Sequence, residues 1–192
     1  MEEVMEENQA NPDELQKKFA EFSEQLDEVK GKVTENKLSM VVFSGDLDKL
    51  LAAFIIGTGA VAMGMEVVMF FTFWATPALR DPKKQPGQKD MMGTMFGAML
   101  PKGAEKVKLS KMNMGGMGTA MMKSLMTKKN VASLPQMIEM AGDLGVKIYL
   151  CEMSMDLMGF SMKEMIDYPD LTACGVATFL AEAGNSRIQL FI

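Results

Sequence analysis

The chain has 192 residues, 48% hydrophobic and 23% charged, which excludes a disordered or collagen-like polymer and fits one α/β-sized domain with an appendage. It has no histidine and two cysteines. That removes Ser-His and Cys-His catalysis in cis, histidine-ligated metals, four-thiolate zinc and a disulfide framework. The formal charge of −5 is uneven: residues 1–35 hold 11 acids and 4 lysines, whereas residues 80–129 hold 11 bases against Asp81, Asp90 and Glu105.

The N-terminus is acidic where a signal peptide needs a basic start and an apolar core. The expected location is therefore cytoplasmic, with both cysteines as free thiols. Asn11-Pro12 reads as an N-cap followed by proline at the first helical position. Leu15, Phe19, Phe22, Leu26, Val29 and Val33 then recur at alternating helical spacings, one apolar stripe on an amphipathic helix. Such a stripe either docks on its own domain or forms a coiled-coil seam. Residues 1–36 are assigned to this acidic tail and helix, and residues 37–192 to an α/β domain.

Residues 38–43 (LSMVVF) predict a buried strand, and Ser44-Gly45-Asp46 a turn in which Asp46 or Ser44 caps a helix over 47–62. The apolar run 50–65 is sixteen residues long, short of the ~20 needed to cross a bilayer, so stable membrane insertion is not expected. Residues 66–73 (EVVMFFTF) predict a second buried strand. Continuous apolar strands alternating with helices imply a parallel sheet covered on both faces.

Residues 80–118 break that pattern with Pro82, Pro86, Pro101, several glycines and seven of the 18 lysines. They read as a long basic, Met/Gly-rich insertion, the kind of loop that is usually functional. Helices are expected at 119–127 and at 133–144, with Ser133 as N-cap and Gly145 as stop. Residues 146–150 predict a strand ended by Cys151, 152–158 a helical turn, 175–183 a helix and 187–192 a closing strand.

Cys151 is the leading candidate for chemistry. It stands where a parallel strand gives way to a helix, and ligands of open α/β sheets bind outside the carboxyl ends of strands. Helix N–H groups there stabilise a thiolate; the alternative is an inert buried cysteine. Cys174, before Gly175, is either a resolving thiol or a small residue at a helix cap. Ser44, Gly45 and Thr72 to Trp74 collect at the same sheet end and are expected to line one pocket with Cys151, covered by the basic loop. Ten of the 23 methionines lie in residues 91–126. Met112-Asn-Met114 and Met153-Ser-Met155 have the softness to hold Cu(I), but methionine is also an adaptable apolar filler, and no metal or organic cofactor is expected. The basic segment has few aromatics, so nucleic acid is not an expected partner.

Residues 66–74 (EVVMFFTFW), 109–123 (LSKMNMGGMGTAMMK) and 151–159 (CEMSMDLMG) resemble the signature blocks of the DsrE/DsrF/DsrH-like family, especially its methionine-rich branch. The resemblance spans residues 38–192. It implies a three-layer α/β/α fold with a mainly parallel sheet of about five strands, assembled into homo-oligomers. It implies a sulfur carrier or sulfurtransferase with Cys151 as the persulfide-forming residue. Rhodanese-like or TusA-like proteins and anionic sulfane compounds are the implied partners. The second and third blocks add Asn113, Met114, Gly115, Gly116 and Met153 to Ser44, Gly45, Thr72 and Trp74 as candidate binding residues. Two other classes remain: a thiol peroxidase using Cys151 with Cys174, and a non-catalytic interaction module.

Overall fold

The computed structural model describes residues 12–30, 34–85 and 91–192. The chain divides into two units, Met1–Thr34 and Glu35–Ile192.

In the first unit, α1 spans Pro12–Lys30. Glu14 and Lys18 pair across one turn at 3.1 Å. Leu15, Phe19 and Phe22 of the expected stripe are exposed. Asn11, Val33 and the side chains of Leu26 and Val29 lie outside the described residues.

In the second unit the strands are β1 (Glu35–Val42), β2 (Glu66–Phe71), β3 (Lys147–Cys151), β4 (Leu171–Cys174) and β5 (Ser186–Phe191). They form one parallel sheet in the order β4-β3-β2-β1-β5. The helices are α2 (Leu47–Ala62), α3 (Met91–Met99), α4 (Met117–Lys128), α5 (Leu134–Asp143), α6 (Glu152–Met158) and α7 (Val176–Gly184).

Strand side chains alternate between faces. Leu38, Met40 and Val42 of β1, Val67, Met69 and Phe71 of β2, and Ile148 and Leu150 of β3 share one core with Leu50, Ala53 and Phe54 of α2 and Ile138 and Ala141 of α5. On the opposite face Val68, Phe70, Cys151 and Cys174 pack with Phe179 and Ala183 of α7. This is the expected three-layer α/β/α fold. The apolar run at 50–65 resolves into α2, which buries one side only, and the turn into β2. No described helix is long and apolar enough to cross a membrane.

Several local expectations need correction. Asp46 is the N-cap residue of α2 but makes no capping bond. It instead accepts a hydrogen bond from Ser44 Oγ (2.9 Å) and pairs with Lys49 (3.2 Å). The insertion at 80–118 is not all loop, because α3 forms inside it. β2 stops at Phe71, and Phe73–Leu79 winds into a 3-10 helix. Residues 171–174, where the sequence pattern predicts no strand, form β4.

Two buried polar groups join distant parts of the chain. Lys37, on the α7 face of β1, is buried, donates to Glu182 of α7 (2.8 Å) and pairs with Glu35. Tyr149 Oη donates to the other Glu182 oxygen (3.1 Å). Arg80 and Glu164, both buried, pair at 3.3 Å. Arg80 also donates to the Gly97 and Pro101 carbonyls and lies 4.5 Å over the Phe160 ring.

Candidate functional site

Cys151 is the last residue of β3 and immediately precedes α6. Its side chain is buried on the face covered by α7. That position stands next to the second and third amides of the helix, here those of Met153 and Ser154, although Cys151 makes no side-chain capping bond. Two hydroxyls join them. Ser154 Oγ and Thr72 Oγ1 lie 2.7 Å apart, both buried. Burial pushes the Cys151 thiol up. The Ser154 hydroxyl and amide, the Thr72 hydroxyl and the Met153 amide outweigh it and hold the thiol below its ordinary value.

Thr72 reaches this position because β2 ends one residue earlier. Phe73 then takes a left-handed backbone (φ 45°), unfavourable for a residue with a Cβ, and the chain turns away as the 3-10 helix. Trp74 is half exposed at 49%, and its backbone carbonyl lies against Gly45. A Cβ at position 45 would collide with that carbonyl oxygen, so the first loop must carry glycine there. Ser44, Gly45, Thr72 and Trp74 thus form a row along the carboxyl edge, with Thr72 reaching Ser154 beside Cys151. The reversal of strand order falls between β1 and β5, two strands away from Cys151, so the cysteine does not sit at the usual crevice of such sheets.

Cys174 ends β4 and is the register partner of Cys151. Burial, the Glu152 carboxylate and Cys151 itself push its thiol up. The two cysteines therefore differ in acidity although they are neighbours.

Asn113, Met114, Gly115 and Gly116 form a second group. Asn113 Oδ1 accepts from Thr119 Oγ1 (2.8 Å), which accepts from Leu109 N (3.0 Å). Ser110 N and Oγ donate to Asp48 of α2 (2.8 and 2.6 Å), and Leu47 N donates to the Lys108 carbonyl (2.8 Å). These bonds fix the loop to the start of α2, beside Ser44 and Gly45, rather than to α6. Met112 and Met114 are exposed and both have positive φ. Met153 is exposed whereas Met155 is buried, so that pair does not converge on one point. Among the described residues no three acidic or cysteine side chains gather as a metal site.

The basic segment is less free than its charge suggests. Arg80 is taken up by Glu164, Lys84 donates to Asp167 (2.6 Å), Lys102 to the Lys84 carbonyl (3.0 Å) and Lys123 to the Glu105 carbonyl (2.6 Å). A cavity of about 620 Å³ lined by Arg80, Lys102, Ile138, Tyr168 and Pro169 among others lies where the chain enters β4, at the other end of the sheet from Cys151.

Ser154 was not singled out from the sequence. Its signal is the Cys-x-x-Ser spacing, which places a hydroxyl at the third helical position facing a cysteine at the cap.

The model of the DsrE/DsrF/DrsH-like family matches residues 34–191. The chain is 49% identical over 156 residues to the uncharacterized protein YrkE of Bacillus subtilis, covering 81% of this chain and 96% of that one. It is 35% identical over 162 residues to the sulfur carrier protein DsrE2 of Allochromatium vinosum, covering 82% and 99%. Among solved structures the ychN protein from E. coli covers 81% of this chain and 98% of its own at 15% identity and a TM-score of 0.46.

Proposed function

Because the chain belongs to the DsrE/DsrF/DrsH-like family, we propose that it is a sulfur-relay protein that holds sulfane sulfur as a persulfide on Cys151 and hands it to an acceptor thiol. Likeness to a sulfur carrier over most of both chains supports the relay role. The observation that carries the persulfide assignment is the place of Cys151 at the start of α6, next to the paired hydroxyls of Thr72 and Ser154, surroundings that hold the thiol below its ordinary value despite burial.

The chemistry follows thiol–disulfide exchange. The Cys151 thiolate attacks the terminal sulfane sulfur of an anionic polysulfide. A sulfur–sulfur bond in the donor breaks, and the shortened polysulfide leaves with the electron pair. An acceptor thiolate then attacks the outer sulfur of the persulfide. Cys151 departs as thiolate, and the same surroundings that lower its pKa make it a good leaving group. Donors and acceptors of the rhodanese-like and TusA-like kinds fit this exchange, in the cytoplasm. Exposed Val176 and Leu180 on α7 and Phe191 on β5 support assembly into a homo-oligomer.

A transfer assay tests the reading. Polysulfide-loaded protein, freed of donor, is mixed with a small acceptor thiol, and both are weighed by mass spectrometry. One sulfur should leave the protein and appear on the acceptor. Acceptor that gains no sulfur would overturn it.

The thiol peroxidase reading has one observation in its favour, the register pairing of Cys151 with Cys174. It requires peroxide to be consumed and a disulfide to form with no sulfur gained.

A further inference from the structure

Cys151 and Cys174 close adjacent parallel strands opposite one another. Neighbouring strands lie ~4.8 Å apart, within the roughly 4.4–6.8 Å between Cα atoms that a disulfide bridges. Both side chains lie on the α7 face, in one cluster with Phe70 and Phe179, whose rings stack at 4.8 Å. The cysteines are 5% and 8% exposed. Cys174 is thus held beside any sulfur that Cys151 carries.

We propose that Cys174 discharges Cys151: when no acceptor takes the sulfane sulfur, Cys174 attacks the inner sulfur of the Cys151 persulfide and releases hydrosulfide. This rests on the persulfide reading. The Cys174 sulfur forms a bond to Cys151 Sγ, and the bond between Sγ and the outer sulfur breaks. The outer sulfur leaves with the electron pair and the proton that Cys174 loses. It is reduced to sulfide, while the two cysteine sulfurs are oxidised to a disulfide. An external dithiol then reduces the disulfide and resets the protein. The geometry favours the inner sulfur, because it is Sγ of Cys151 that stands in register with Cys174. Hydrogen sulfide is more acidic than an alkyl thiol, and the more acidic leaving group departs faster. The raised pKa of Cys174 keeps it largely protonated at neutral pH. The discharge is therefore slow enough for a docked acceptor to be served first.

The test compares wild type with Cys174→Ser and Cys174→Ala after loading with polysulfide and removal of the donor, with no acceptor present. Wild type should lose its added sulfur about tenfold faster than either variant, as expected of an intramolecular nucleophile. It should release one sulfide per chain and lose the mass of two hydrogens relative to the reduced protein, with Cys151 and Cys174 joined in the peptide map. Equal persulfide lifetimes, or an added sulfur found on Cys174, would overturn the discharge while leaving the carrier reading standing. If neither wild type nor the variants ever load, the carrier reading itself falls and the discharge with it.

Discussion

The hydroxyl oxygens of Thr72 and Ser154 lie 2.7 Å apart across 82 residues of chain, one from the end of β2 and one from the first turn of α6, beside the Cys151 sulfur. One of the two hydroxyls donates to the other, which leaves at most one of their protons for the sulfur. Ser154→Ala should raise the Cys151 pKa, because a hydroxyl that favours the thiolate is lost while burial stays. Below the pKa the thiolate fraction then falls, and the higher nucleophilicity of the more basic thiolate offsets only part of that fall. Alkylation at neutral pH should therefore slow. Thr72→Val should act in the same direction. An unchanged rate–pH profile in both variants would mean that the hydroxyls do not act on the sulfur.

Arg80 and Glu164 are 2% and 0% exposed. Glu164→Gln leaves the guanidinium buried without its charge partner, a loss of about 3–5 kcal/mol for such pairs. Denaturant unfolding measures this as a fall in midpoint at constant slope. Replacing both residues by apolar ones of similar volume should cost less than the single change. A loss below ~1 kcal/mol for Glu164→Gln would show that water reaches the pair.

Hydrogen bonds to Glu182 and then Glu35 hold Lys37 above its ordinary pKa, against burial. Lys37 holds Glu182 below its own, with burial opposing and Tyr149 assisting. The Lys37 contribution is present below the ordinary lysine pKa and is lost only as pH rises through the raised value, above neutrality. The Glu182 contribution is present above the ordinary glutamate pKa, about 4.3, and is lost as pH falls through the lowered value. Glu182→Gln should therefore cost about 1–3 kcal/mol, constant from pH 6 to pH 8, with the gap to wild type closing in acid. A gap that instead widens in acid would contradict the sign.

β1 begins at Glu35, which partners Lys37. A cut after residue 36 removes that partner, whereas a cut after residue 33 does not. The chain lacking residues 1–33 should fold cooperatively and keep the wild-type Cys151 alkylation rate, because no strand is lost. A truncation that aggregates would show that the N-terminal segment is integral to the domain.

Where the fold could be read from the sequence, it was read from long apolar runs. LSMVVF, EVVMFF and KIYL became β1, β2 and β3 because strands covered on both faces need continuous apolar residues. β4 escaped because it has four residues, LTAC, with only Cys174 fully buried, too little for a periodic signal. α3 escaped because glycines at 93 and 97 inside MMGTMFGAM carry the composition of a loop. Arg80 looked like part of a basic surface, since one chain shows charge but not burial. At the site, the strand-to-helix junction placed Cys151 correctly at the end of β3. Its pairing with Cys174 depends on β4, which the sequence does not signal, and Ser154 reads as an ordinary helix residue until the fold brings Thr72 against it.

The central claim is that Cys151 carries sulfane sulfur. Its most direct test is site-resolved mass spectrometry of Cys174→Ser protein incubated with polysulfide, since that variant retains a single thiol. The expected result is one added sulfur, on the peptide containing Cys151 and removable by dithiothreitol, and no added sulfur on Cys151→Ser protein treated in parallel. An added sulfur on Cys151→Ser protein, or none on Cys174→Ser protein, would contradict the account.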